Sequence, residues 1–217
     1  MMNTEALQQL IQKSVKEEQQ TGELHQLLQQ RLETVERIVQ LPEIEALERL
    51  YEFVIRYIQQ VPQMLEDLHQ GAVEAGLLNY VSPILEVVEG FFMAPPKELN
   101  SDSGLAALMD EAFLAHRLFE EVNDTYIMRV GQPMIPFDMT MSNVIVHSLI
   151  SEPYANDLEQ VVMVATKGIF GEEKAYEKNE KFLAFMDKKD NDNLIKIAQR
   201  WPCMSTQMGL DSHLQFA

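Results

Sequence analysis

The chain has 217 residues, of which 34 are acidic and 17 are basic, so its formal net charge is −17. This excess of carboxylates repels the phosphates of nucleic acids and the headgroups of anionic lipids. No block of lysine or arginine stands out that would neutralise phosphates. The composition therefore argues against a nucleic-acid partner, while its 46% apolar content is typical of a globular protein.

The chain contains one cysteine, Cys203, which cannot form an intramolecular disulfide. A reducing cytosol is the natural compartment for such a protein. The N-terminus lacks the basic region followed by an apolar stretch that marks a signal peptide. No apolar run approaches the roughly 20 residues needed to span a bilayer. We therefore expect a cytoplasmic protein without a membrane partner.

Apolar residues recur at steps of three and four along almost the whole chain, which is the period of an amphipathic helix. We predict an all-α protein, a single globular domain over 1–217 with about eight to ten helices and no significant β-sheet. The polar, turn-rich loop 95–104 is the best place for a division into two lobes. The tail from Met204 shows no pattern.

Breakers divide the N-terminal half into predicted helices. Thr21–Gly22 separates the first helix from the second, and Leu41–Pro42 separates the second from the third. Val61–Pro62 breaks or kinks the third, because proline clashes with the preceding helical turn. Ser82–Pro83 is expected to begin the next helix, since serine caps a helix and the missing N–H of proline costs nothing in its first turn.

Two apolar segments, Leu105–Val130 and Met139–Ile150, are joined by the proline-containing loop 131–137. The broad apolar face of the first predicts a helix packed on more than one side. The run Val144–Val146 would also suit a buried strand, but we prefer a helix because nothing else in the chain supplies a strand to pair with it. We expect these two helices at the centre of the bundle, wrapped by the N-terminal helices.

Each central segment carries a line of polar residues at helical spacing. The two lines are His116, Glu120 and Asn123, and Asn143, His147 and Ser151. If the loop folds the helices back antiparallel, the two lines face each other. Imidazoles and a carboxylate at such a contact suit iron, zinc or manganese. We therefore take His116, Glu120, Asn143 and His147 as candidate ligand-binding residues.

Glu89 joins the candidate metal ligands because a lone acid is unexpected within the apolar run Val87–Phe91. The metal set is then His116, Glu120, His147 and Glu89. Glu111 is a further candidate on the same helix as His116. The helical di-iron motif, a carboxylate three residues before a histidine, is absent, since Phe113 and Val144 occupy those places. Two alternatives to a metal site remain open. His116 and Glu120 would form a purely structural hydrogen-bonded pair, and the line Asn143, His147 and Ser151 would be an ordinary solvent-facing surface.

The segment TGELHQLL around His25 resembles the proximal helix of haem oxygenases over a few residues, which would imply a haem ligand at His25. That family also has a glycine-rich distal helix, and this chain offers only Glu89–Gly90 at that place. We favour His25 as a boundary residue of an amphipathic helix. The cluster Asp187, Asp190 and Asp192 lacks the glycine of a calcium loop and is better suited to capping a helix.

Two functions are compatible with these patterns. The first is a non-enzymatic protein that binds a small ligand or a protein, including a second copy of itself as a homodimer. It is favoured because the chain has no glycine-rich phosphate loop, GxSxG, CxxC or HExxH motif. The second is a metal- or haem-dependent helical enzyme, oxidoreductase-like, with its cofactor in the central His/Glu cluster.

Overall fold

The computed structural model describes residues 4–42, 44–76, 78–95, 104–130, 138–170 and 204–212. Over these ranges the fold is all-α, as predicted. The long helices are α1 (Thr4–Thr21), α2 (Glu23–Glu36), α3 (Ala46–Ala75), α4 (Leu78–Met93), α5 (Gly104–Val130), α6 (Thr140–Leu149) and α7 (Glu152–Phe170). A short helix, α8 (Met204–Gln207), and two strands, β1 (Val39–Gln40) and β2 (Asp211–Ser212), complete the described part.

Helix α5 lies at the centre and packs against every other long helix described. Its five consecutive residues Ala112 to His116 are all fully buried. Successive side chains on a helix are about 100° apart, so five consecutive buried residues mean that the helix is buried on all sides over this stretch. The prediction that 105–130 forms the centre of the bundle is therefore confirmed, and α6 confirms the helical interpretation of the second apolar segment.

The corner between α1 and α2 follows the predicted break at Thr21–Gly22. Gly22 adopts φ +63°, a left-handed conformation that glycine reaches without steric cost. The buried carboxylate of Glu18 accepts hydrogen bonds from the backbone N–H groups of Leu24 and His25, both at 3.1 Å. Glu18 therefore caps α2 from the end of α1, where the exposed N–H groups of a helix favour a negative charge.

One predicted break and one predicted helix start lie inside helices. Helix α3 continues through Pro62, although an interior proline costs about 3 kcal/mol. Its neighbours Val61 and Met64 are fully buried, so tertiary packing outweighs the local cost. Helix α4 begins at Leu78 rather than at the predicted Ser82–Pro83, because its apolar stripe extends N-terminal to the proline.

The predicted extension of the second helix to residue 41 is wrong. Helix α2 ends at Glu36, and β1 pairs antiparallel with β2, placing Val39 opposite Ser212 and Gln40 opposite Asp211. The patternless tail is thus ordered over 204–212, and α8 packs against α3 and α6. None of the helices described is long and apolar enough to cross a membrane.

Some predictions fall on residues outside the described ranges. They concern the loop 131–137, the aspartates at 187, 190 and 192, and Cys203. The lobe division predicted at 95–104 is also untested, because residues 96–103 are not described. The single domain over 1–217 therefore stays a prediction. The buried side chains of all eight described helices nevertheless belong to one hydrophobic cluster.

Candidate functional site

The two predicted polar lines meet at Glu120 and Asn143. The amide nitrogen of Asn143 donates a hydrogen bond to Glu120 at 2.7 Å, which joins α6 to α5. The hydroxyl of Tyr57 on α3 donates to the other end of the same amide at 2.6 Å. Asn143 is 3% exposed, so it bridges three helices inside the core. The two lines therefore contact each other at this pair.

His116 lies beside this bridge and is fully buried. Its Nε2 atom lies 2.9 Å from the backbone carbonyl oxygen of Tyr57, and its ring packs on the Tyr57 ring with centroids 4.0 Å apart. A carbonyl oxygen only accepts, so Nε2 carries the proton of this hydrogen bond. The other ring nitrogen, Nδ1, is buried and has no hydrogen-bond partner among the residues that the structure describes.

Burial decides the charge state of this region. Burial lowers the pKa of His116 to about 4, against the smaller opposing effects of the Tyr57 carbonyl and the Glu120 carboxylate. Burial and the nearby Glu120 charge also raise the pKa of Tyr57 well above its usual value. At neutral pH His116 is therefore an uncharged imidazole whose Nδ1 carries a lone pair.

Arg117 and Glu120 connect the buried residues to the surface. Arg117 forms ion pairs with Glu120 and Glu121 on α5, and its Nε lies 3.4 Å from Glu159 on α7. Thr140, which is exposed, donates to the second oxygen of Glu120 at 2.9 Å. The hydrogen bonds and charges of these carboxylates outweigh burial and raise the pKa of Arg117.

We call Tyr57, His116, Arg117, Glu120, Thr140 and Asn143 the polar cluster. It runs from the fully buried ring of His116 to the solvent at Thr140 and joins α3, α5 and α6. Helix α7 contributes the outer carboxylate of Glu159. Polar groups placed this deep are normally satisfied completely. The Nδ1 atom of His116 is one of several buried side-chain atoms, Ser142 Oγ among them, that have no hydrogen-bond partner within the described residues.

The remaining predicted ligands, His147 and Glu89, lie on α6 and α4. His147 on α6 is half-buried, and its ring lies 6.1 Å from the ring of Phe113. Glu89 is half-buried on α4. Within the described ranges, no three His, Cys, Asp or Glu side chains form a group that would hold a metal ion. The set His116, Glu120, His147 and Glu89 is therefore not gathered into one site here.

Two further candidates have other surroundings. Burial, with the neighbouring Asp110 charge, raises the pKa of Glu111 to about 8. Its Oε2 atom is buried and has no hydrogen-bond partner in the described part of the chain. The ring of His25 lies at the surface, 3.2 Å from Glu48 and against the Tyr51 ring. His25 thus lies where a boundary residue of an amphipathic helix is expected.

Sequence reasoning did not identify Tyr57 or Arg117. Arg117 was detectable, because acids three and four residues after it favour helical ion pairs. Tyr57 gave no such signal. Its role depends on how α3 packs against α5 and α6, which the sequence of α3 alone does not specify.

Comparison of the chain with known protein families, with curated proteins and with solved structures gave no match.

Proposed function

We propose that this protein is a non-enzymatic binding protein and that its polar cluster receives a small neutral ligand. The observation that supports the proposal is the buried Nδ1 atom of His116, which has no hydrogen-bond partner among the described residues. A buried acceptor without a partner costs about 1–3 kcal/mol, so a fold retains one where something else supplies the missing bond.

The chemistry of the ligand follows from the state of the ring. Because Nε2 donates to the Tyr57 carbonyl, Nδ1 accepts. The complementary group is an O–H or N–H donor. A carboxylate or phosphate would bring a negative charge next to Glu120 and an acceptor to an acceptor. The ligand is therefore a neutral molecule that presents a hydroxyl or an N–H group.

A general acid–base role is less favoured. Such a catalyst works best with a pKa near the pH at which it operates. The pKa of His116 is about 4, far below neutrality, so the ring holds no proton to exchange at Nδ1. The same property suits a permanent acceptor, since the ring keeps its lone pair throughout the physiological range.

Calorimetric titration with phenol tests the proposal. Phenol presents one neutral O–H donor, and its methyl ether, anisole, has the same ring without the donor. We expect phenol to bind at a single site and anisole to bind at least about tenfold more weakly, which is the difference made by one buried hydrogen bond.

Two variants locate the binding site. His116→Phe keeps an aromatic ring but removes both nitrogens, and we expect it to lose the preference for phenol over anisole. His147→Phe is the matched control on α6 and should retain that preference. Equal binding of both probes to the unaltered chain, or no binding of phenol, would overturn the proposal and leave a trapped water as the partner of Nδ1.

A metal-dependent enzyme is the second candidate, and one observation favours it. A histidine that binds metal through one nitrogen usually donates the other N–H to a backbone carbonyl or a carboxylate, as His116 does. Metal analysis and an absorption spectrum of protein purified without chelator distinguish the binding protein from the metal-dependent enzyme. Stoichiometric metal or a haem band, lost in His116→Ala, supports the enzyme.

We also propose a cytoplasmic location and a homodimer or another protein partner, without nucleic acid. The single cysteine supports the cytoplasmic location, because it cannot form an intramolecular disulfide. The net charge of −17 supports the exclusion of nucleic acid, because it repels phosphates. Light scattering at two concentrations tests the homodimer. A mass near that of one 24.9 kDa chain at both concentrations would contradict it.

A further inference from the structure

The outer side of helix α6 carries no charge. The segment 139–151 contains no Asp, Glu, Lys or Arg, although these residues make up 24% of the chain. Five positions of α6 are exposed or half-buried, and the other five are buried. At about 100° per residue, the five outer positions share one arc of about 120°. We call these residues the neutral face: Thr140, Met141, Val144, His147 and Ser148.

Two hydroxyl groups of the neutral face already have acceptors within the chain. Thr140 donates to the Glu120 carboxylate at 2.9 Å, and Ser148 donates to the Ile145 carbonyl oxygen at 2.6 Å. Glu120 is in turn paired with Arg117, which balances its charge. Burying a polar group is costly mainly when the group loses its hydrogen bond. Covering the neutral face therefore leaves neither hydroxyl without an acceptor.

The side chains of the neutral face also suit close packing against another helix. Val144, which is 41% exposed, and Ser148 lie one turn apart and are short. Short side chains at a contact let two helix axes approach to about 8 Å. Beside them, Met141 has a flexible side chain that adapts to its partner. Helix α8, which packs against α6, likewise contains no charged residue.

The net charge of the chain indicates which partner fits the neutral face. Each copy carries a formal charge of −17, so two copies repel each other wherever their carboxylates approach. The cores of protein interfaces are depleted of charged residues. Two neutral faces in contact meet both conditions, because neither copy buries an unpaired charge. A basic partner would instead be attracted to the carboxylates on the rest of the surface.

We propose that the neutral face is a homodimer interface, in which α6 packs antiparallel against α6 of a second copy around a two-fold axis. This inference rests on the homodimer in the proposed function and names its surface. Helix α6 has 10 residues and is about 15 Å long, so a contact through α6 is smaller than the roughly 800 Å² per partner of a standard interface. The dimer is therefore weak, with a dissociation constant in the micromolar range.

Sedimentation equilibrium of the full chain across micromolar concentrations tests the interface. We expect the mass to rise with concentration from 24.9 kDa towards twice that value. Val144→Glu places two carboxylates near the axis, and their repulsion should weaken association at least about tenfold. Val164→Glu is the matched control, because Val164 is an exposed valine on α7. The same added charge at that position should leave the dissociation constant nearly unchanged.

A charge exchange at residue 144 separates a lost interface from a misfolded chain. Val144→Lys alone places two ammonium groups near the axis and should also weaken association. A mixture of the Val144→Glu and Val144→Lys chains should associate more tightly than either variant does alone, because opposite charges then meet. Misfolded chains would not regain affinity on mixing. A mixture that associates no more tightly than its components would overturn the proposed contact.

Salt gives a second readout of the same interface. We expect the dissociation constant to fall several-fold between about 0.01 and about 0.15 M sodium chloride, because salt screens the repulsion between the copies. An interface held by ion pairs would weaken instead. A dissociation constant that rises with salt would therefore overturn the neutral face as the contact.

Sedimentation uses no ligand, so its outcome is independent of the phenol titration. A dimer that Val144→Glu leaves intact would keep the proposed homodimer and reject the neutral face as its surface. The mass of a single chain at every concentration would reject both. If Val144→Glu also lowered the free energy of unfolding of that single chain, another part of the same chain would be the occupant of the neutral face.

Discussion

Two titratable groups on α5 are forced towards their uncharged forms by burial. His116 has its pKa lowered to about 4, and Glu111 has its pKa raised to about 8. One is a base that resists gaining a proton, and the other is an acid that resists losing one. Their contributions to stability therefore change with pH in opposite directions, and single variants separate them.

The stability of the protein should fall on the acid side because of His116. Between pH 6.5 and about 4 the unfolded imidazole takes up a proton while the buried ring stays neutral, so the free energy of unfolding drops by roughly 3 kcal/mol. The loss levels off below the folded pKa. The free energy of unfolding in urea, compared between pH 7 and pH 4.5, should show most of this drop in the control variant His69→Gln. His116→Phe should not show it. An equal drop in both variants would contradict the assignment.

Glu111 acts on the alkaline side. Its folded pKa is raised, so its contribution is fully present below about pH 4.5 and is lost as the pH rises through about 8. Glu111→Gln should therefore gain roughly 2 kcal/mol of stability over the unaltered chain at pH 9, a value discounted for its partial exposure, and gain nothing at pH 4. Asp124→Asn, exposed on the same helix, is the control for lost charge. A gain at pH 4 as large as that at pH 9 would rule out the titration.

At the scale of helices, one amide fixes how three of them meet. Asn143 on α6 accepts from Tyr57 on α3 and donates to Glu120 on α5. Both hydrogen bonds are directional, and the amide lies in the core. A shift of α6 against its neighbours would therefore leave buried polar atoms without partners. The bridge therefore specifies the placement of α6 more sharply than apolar contact does.

Removing one end of this bridge should be costly. Tyr57→Phe leaves the Asn143 oxygen without its donor, and we expect a loss of about 1–3 kcal/mol in the free energy of unfolding. Tyr51→Phe, on the partly exposed face of the same helix, should change it by less than about 0.5 kcal/mol. A double-mutant cycle with Asn143→Ala should give a coupling energy of at least about 0.5 kcal/mol. Additive effects would show that the two side chains do not interact.

The sequence predicted the elements whose signal is local. The apolar stripe placed α5 to within one residue of its observed bounds, and helical spacing placed Glu120 and Asn143 on two lines that contact each other. The failures come from distant contacts. Pro62 lies inside α3 because the core holds both of its flanks, and β1 is a strand because its partner lies at the other end of the chain.

For the whole molecule, the net charge of −17 and the ion pairs of Arg117 respond to salt in opposite ways. Mutual repulsion of the excess carboxylates favours the expanded chain, and salt screens it, whereas salt weakens ion pairs. Carboxylates outnumber cations two to one, so repulsion should prevail. We expect the free energy of unfolding to rise between 0.01 and 0.15 M sodium chloride, where the Debye length falls from about 30 to about 8 Å. Sucrose at matched osmolality is the control. A fall in stability with salt would show that ion pairs dominate.

The state of His116 at neutral pH tests the account most directly. A long-range ¹H–¹⁵N spectrum of the imidazole nitrogens at pH 7 reports which nitrogen of each ring carries a proton. We predict a neutral His116 ring protonated at Nε2, with an unprotonated Nδ1 whose resonance moves when phenol is added and stays when anisole is added. A proton on Nδ1, a doubly protonated ring, or an Nδ1 resonance indifferent to phenol would contradict the proposed binding site.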